Sequence, residues 1–188
     1  MHIELDLITA CINRERKAEY ELYKISYNYL MSICFRYTNS REDAEEMLNI
    51  CFLKILHNLN KYKPENSFIV WIRKIMINVI IDKYRKNKKH NEHVEYVGEY
   101  AETSDYTEQN HVITKMNVEQ IHELIMKLPP VSQQVFNLYV IDGFAHKEIA
   151  DMLDISEGTS KWHLNFSRNK LKEMITKINK TSSLSIVS

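Results

Sequence analysis

Residues 145–164 read AHKEIADMLDISEGTSKWHL, and the fold is decided there. Ile149, Ala150 and Leu153 recur at helical spacing on one face of a short helix. Ala150 is small, so a second helix can cross close to the first. Asp154-Ile155-Ser156 makes the turn, and the Ser156 hydroxyl is placed to cap the helix that follows. Leu164, Leu171 and Ile178 recur every seven residues and are expected to anchor that helix. Its outer positions hold Thr159, Lys161, Trp162, His163 and Asn165, side chains that donate, stack or neutralise phosphate. Small residue, turn and cap together predict a helix-turn-helix, whose second helix enters the major groove of DNA. The competing assignment is an ordinary αα-hairpin with a polar face.

Upstream of this stretch the helical pattern continues. Val118, Ile121, Leu124, Ile125 and Leu128 form one stripe; Pro129 and Pro130 end that helix, and Pro130 can begin the next. Residues 131–141 predict another helix, stopped at Asp142-Gly143. In the front half, residues 17–38 carry Leu22, Ser26, Tyr29 and Ile33 at helical spacing. Ser40-Arg-Glu-Asp43 is a helix start, with the Ser oxygen poised for the Asp43 N–H. Ala44, Leu48, Cys51, Ile55 and Leu59 follow as an apolar stripe. A break at residues 61–67, KYKPENS, precedes a helix over about 68–88 whose expected buried stripe is Phe68, Ile72, Ile75 and Val79. With only three Gly and three Pro in 188 residues, repeated strand reversals lack their turn residues, and the fold class is all-α.

Net charge is zero, but its distribution is uneven. Residues 1–90 hold 16 basic and 11 acidic side chains, residues 91–114 none and six, and residues 115–188 nine and eight. The acidic middle has no helical stripe and is expected to be a flexible linker between two small helical domains. Between Trp71 and Lys89 the chain carries seven basic residues against one acid, Asp82, with Trp71 and Tyr84 interleaved. Such a run supplies phosphate affinity and rings on which bases can stack, although a charge run is also the ordinary pattern of a solvated face and Trp71 can equally be core.

Other classes are less well served. Cys11, Cys34 and Cys51 form no CxxC pair and read as buried free thiols. His90, His93 and His111 fall in the polar middle without a metal-binding motif. No convergent nucleophile and base is visible, so no enzyme and no cofactor are expected. The N-terminus lacks a long apolar run, so neither a signal peptide nor membrane insertion is expected, and the reading is cytoplasmic.

Four stretches, taken in order, resemble one family. They are residues 43–54, DAEEMLNICFLK; 68–86, FIVWIRKIMINVIIDKYRK; 128–136, LPPVSQQVF; and the helix-turn-helix. Together they resemble the extracytoplasmic-function (ECF) sigma factors of bacterial RNA polymerase, in the sigma-70 superfamily. The resemblance spans roughly residues 15–178. It implies a region 2 bundle over 1–90 that binds core polymerase and the −10 element, an acidic linker over 91–114, a region 4 helix-turn-helix over 115–180 that binds the −35 element, and a tail over 181–188. Carried over by position, it implies polymerase contacts at Asp43, Glu46, Met47, Asn49, Ile50, Phe52 and Lys54. Contacts to the −10 element are implied at Lys61, Lys63, Asn66, Ser67, Trp71, Arg73, Lys74, Asn78, Asp82, Arg85 and Lys86. Contacts to the −35 element are implied at Lys147, Thr159, Lys161, Trp162, His163, Asn165, Phe166 and Arg168. Implied partners are core RNA polymerase, promoter DNA and an anti-sigma factor.

Several positions depart from the family pattern. Asn49-Ile50 replaces a polar-acidic pair, Asp154 stands where Gly is common, and Ser160 replaces an apolar Val. Asp tolerates a left-handed backbone better than most residues, so the turn is expected to form. Trp162 and Phe166 replace commonly small and basic residues, and the promoter sequence does not transfer by analogy. The alternative function is a helix-turn-helix regulator that does not bind core polymerase.

Overall fold

The structure, a computed structural model, describes residues 3–90 and 117–184, with side chains for 3–87 and 117–178. The expected linker at 91–114 lies outside the described residues. The chain forms two compact units, residues 1–90 and 91–188, and no strand occurs among the described residues.

In the first unit α1 spans Leu5–Ile12, α2 Arg16–Cys34, α3 Arg41–Asn58 and α4 Phe68–His90. α1 presents Ile8 and Cys11 to the interior, and Arg14 adopts a left-handed φ of 61° in the reversal into α2. Helix α3 starts as its sequence dictates, with the Ser40 side chain accepting the Asp43 N–H at 3.1 Å. Its stripe of Ala44, Leu48, Cys51, Ile55 and Leu59 is buried throughout. The expected stripe on α4 is corrected. Ile75 is half-buried, and Met76, Ile77, Ile80 and Ile81 join Phe68, Ile72 and Val79 in the core. α4 packs on both α2 and α3, so it buries two faces rather than one.

In the second unit α5 spans Val118–Met126, α6 Pro130–Phe136, α7 His146–Leu153 and α8 Glu157–Leu184. A reciprocal cap starts α5: Asn117 Oδ1 accepts the Gln120 N–H, and Gln120 Oε1 accepts the Asn117 N–H. Pro130 is the first residue of α6. After Phe136 the helix widens into a π turn over Asn137–Ile141. The Asp142 N–H reaches back to the Asn137 carbonyl at 2.9 Å, and Gly143 turns the chain with φ 78°. Leu124, Ile125, Leu128, Val135, Leu138, Ile149, Leu153 and Leu164 form the core. Of the other expected core positions, Ile121 and Leu171 are half-buried and two are exposed. Val118 is exposed at the start of its helix, and Ile178 lies exposed far along α8. At 28 residues α8 is about 42 Å long and outruns the shorter helices that cover its first half. It also continues to Leu184, past the expected domain end at residue 180.

Candidate nucleic-acid interface

The helix-turn-helix is built by local chemistry. Asp154 takes the left-handed conformation (φ 55°, ψ 57°) that the turn requires. Ser156 Oγ accepts the Thr159 N–H at 2.9 Å and also meets the Thr159 hydroxyl at 2.8 Å. Thr159, expected to face DNA, is thus engaged in the cap. On α7, Glu148 accepts the Ala145 N–H at 2.8 Å, and Lys147 is exposed.

Four side chains tie α8 to the rest of its unit. Ser160 is fully buried at a position where an apolar residue was the norm, and its hydroxyl meets His146 Nδ1 at 2.9 Å. His146 in turn stacks on Tyr139 with ring centroids 4.4 Å apart. Ser167 donates to the Ser132 and His163 carbonyls, and Leu164 is buried. His163 is half-buried, like Trp162 and Phe166. Its Nδ1 lies 2.8 Å from Ser132 Oγ on α6, and burial lowers its pKa. The Nδ1 edge of His163 is therefore packed on α6.

Away from these contacts α8 carries Lys161 and Arg168, which are exposed, and Trp162, Asn165 and Phe166, which are half-buried. Trp162 and Phe166 stack nearly parallel, 5.3 Å apart at 19°. Lys161 forms an ion pair with Glu157 at 2.7 Å, and hydrogen bonding from the lysine holds the Glu157 carboxyl below its usual range.

In the first unit, the loop before α4 is braced by aromatic rings. Tyr62, Phe68 and Trp71 form a triad with centroids 5.2 to 5.6 Å apart. The Tyr62 hydroxyl donates to the Asn66 carbonyl at 2.7 Å, and Asn66 N–H closes a turn on Lys63. The Ser67 carbonyl accepts the Trp71 N–H, which places Ser67 at the start of α4. Trp71 is half-buried, and Lys63, Asn66 and Ser67 are exposed. Lys61 bonds Asn58 at 2.9 Å. Along α4, Lys74, Asn78, Asp82, Arg85 and Lys86 are exposed and Arg73 is half-buried. Tyr62 escaped the sequence reading, because nothing in its immediate neighbours signals the triad.

On α3, Asp43, Glu46, Asn49, Ile50 and Lys54 are exposed as expected for a docking face. Met47 and Phe52 are not. At 3% and 8% exposure they are core residues, and Phe52 packs edge-on to Tyr23 at 4.9 Å. The exposed apolar group beside Ile50 is Leu53, at 67%, which the sequence reading did not select. α3 and α4 are also joined at their surfaces. Lys83 contacts Glu46 at 2.9 Å and Asp43 at 3.5 Å, and Lys54 contacts Asp82 at 3.0 Å. Hydrogen bonding to Glu46 raises the Lys83 pKa, while Ser40 and then Lys83 lower that of Asp43.

A helix-turn-helix in one unit, and a basic helix led by an aromatic-braced loop in the other, define a two-unit helical DNA-binding protein. Two family models match the chain, Sigma-70 region 2 over residues 22–90 and Sigma-70, region 4 over residues 118–171. The chain belongs to the sigma-70 family and is a sigma factor of its ECF group. It is 30% identical over 137 residues to RNA polymerase sigma factor SigZ of Bacillus subtilis, covering 73% of this chain and 75% of that one. It is 26% identical over 166 residues to RNA polymerase sigma factor YlaC of the same organism, covering 87% and 95%. ECF RNA polymerase sigma factor SigW, also of Bacillus subtilis, is 24% identical over 166 residues, covering 82% and 86%. Among solved structures, the fold is similar to the sigma factor RpoE in complex with the anti-sigma factor NepR from Bartonella quintana. That likeness has a TM-score of 0.51 and 15% identity, and covers 85% of this chain and 96% of that one. A region 2 match beside the region 4 match favours this family over a helix-turn-helix regulator that does not engage polymerase. Among the described residues no helix is long and apolar enough to cross a membrane.

Proposed function

We propose that this chain directs core RNA polymerase to promoters by dividing the work between its two units. The α3 face of Asp43, Glu46, Asn49, Ile50, Leu53 and Lys54 docks on the core enzyme. The 61–67 loop and the exposed side of α4 hold the opened −10 strand, with Arg73, Lys74, Arg85 and Lys86 on phosphates and the Trp71 triad beside an extruded base. Unstacking a base costs a few kcal/mol, and a preformed aromatic and hydrogen-bonding site offsets that cost. Helix α8 reads the −35 element with Lys161, Trp162, Asn165, Phe166 and Arg168, supported by Lys147, while Thr159 and His163 hold the helix in place. The protein acts in the cytoplasm as a stoichiometric factor, without catalytic chemistry or a cofactor, and is a target for an anti-sigma protein.

The observation that carries this reading is the loop. Its backbone is pinned by the Tyr62–Asn66 bond, while Asn66 and Ser67 stay exposed at the head of a basic helix. The test grafts a foreign sequence onto residues 63–67, keeping Tyr62 and a Ser at 67. Holoenzyme carrying the graft should still bind upstream duplex but lose permanganate-reactive open complex at the original −10 sequence. Normal opening there would reduce the loop to a connector.

A further inference from the structure

We infer that α8 reads thymine methyl groups through the stacked side chains of Trp162 and Phe166. The inference rests on the reading of α8 as the upstream-element helix and names the group that it recognises.

Ser160, Leu164 and Ser167 are buried and His163 is bonded to α6, so these four positions define the inward side of α8. At about 100° per residue, Trp162 lies about 200° and Phe166 about 240° around the helix from Ser160. Both rings therefore lie on the side of α8 away from the core, each half-buried. They stack on each other 5.3 Å apart, and Trp162 also meets the edge of His163 at 4.9 Å. The pair thus forms one continuous aromatic ladder along the helix. Lys161 and Arg168 are exposed on its flank, and Asn165 lies beside it. An apolar ladder edged by cations and an amide fits duplex DNA, whose phosphates are met by the cations and whose adenine edges are met by an amide.

Among unmodified bases in the major groove, only thymine offers an apolar group, its C5 methyl. Every base pair presents polar edge groups that an aromatic ring desolvates, and only a thymine offsets that cost with a methyl contact. Four residues of helix rise about 6 Å, against about 3.4 Å per base step, so the ladder spans about two base pairs. The preferred site contains adjacent A·T pairs whose methyls lie under the two rings, with Asn165 beside them on the helix to address an adenine edge.

The experiment uses the full-length chain and two pools of short randomised duplex, one synthesised with thymidine and one with deoxyuridine, which differs only by the missing methyl. The thymidine pool should yield sequences sharing adjacent A·T pairs at a fixed position. In the uridine pool, enrichment at those pairs should fall about fourfold per methyl, and about fifteenfold for two. The Trp162→Ala/Phe166→Ala variant, with helicity checked by circular dichroism, should lose the difference between pools. Equal enrichment in both pools with the unmutated chain overturns the methyl inference and leaves the DNA-reading role of α8 intact. Uridine sensitivity that survives in the double variant overturns the assignment to these rings. No enriched sequence in either pool overturns the DNA-reading role and the inference with it.

Discussion

Acidification should destabilise the C-terminal unit, and His163 should contribute to the effect. Its ring is packed between α6 and α8 with Nδ1 2.8 Å from Ser132 Oγ. Burial lowers its pKa from 6.5, so the folded unit binds the proton more weakly than the unfolded chain. Stability from this site is complete above pH 6.5 and is lost as pH falls below it through the folded pKa. One proton gives a slope of at most about 1.4 kcal/mol per pH unit. His146 is lowered first by burial and then by the Lys161 charge, and adds a loss in the same direction. The chain has two tryptophans, Trp71 in one unit and Trp162 in the other. A Trp71→Phe background therefore lets Trp162 fluorescence follow urea unfolding of the C-terminal unit alone. Between about pH 7.5 and about pH 5.5, unfolding free energy should drop by up to about 1.4 kcal/mol from His163. His163→Gln, which keeps a hydrogen-bonding side chain that does not titrate, should flatten that drop to the part owed to His146. A stability that is flat across this range, or a slope that the substitution leaves unchanged, would refute the placement of His163.

Other expectations follow from single sites. Asp154→Gly should leave stability unchanged or raise it by up to about 1 kcal/mol, because Gly adopts the φ of 55° freely; Asp154→Val should cost about 1–2 kcal/mol, read from urea midpoints. A double-mutant cycle on Lys83 and Glu46 should return about 0.2–1 kcal/mol at low salt and near zero at about 1 M, since both side chains are partly exposed. Burial pushes Cys34 and Cys51 up to about 12 and Cys11 up to about 11. Iodoacetamide should therefore label native protein slowly and urea-unfolded protein quickly, with mass spectrometry counting the adducts.

What the sequence made legible was chiefly local. Ser40, Ser156 and Pro130 act within one turn of their own position, so their roles were readable from neighbours alone. The left-handed Asp154 was readable for the same reason. The family's order of motifs supplied the two-region organisation. The pattern gave less where burial depends on which helix lies alongside. Met47 and Phe52 share a helix with exposed neighbours, and only the packing of α2 and α4 decides that they face inward. His163 sits among outward-facing residues in sequence, yet its partner Ser132 is 31 positions away. Lys83 and its acids are separated by 37 and 40 positions, and no local signal joins them. Ser160 stood out as a departure from the family pattern, and its compensation, the His146 ring, became visible only once α7 and α8 crossed.

The central claim is that one chain both engages core polymerase and selects where it starts. The direct measurement is transcription in vitro by core RNA polymerase on a genomic template library, with and without the chain, with 5′ ends mapped by sequencing. New start sites should arise only when the chain is present, and they should share an upstream and a downstream element at fixed spacing. Ile50→Lys/Leu53→Lys should abolish those transcripts while leaving duplex binding by the free chain unchanged. DNA binding without any chain-dependent start site would contradict the account.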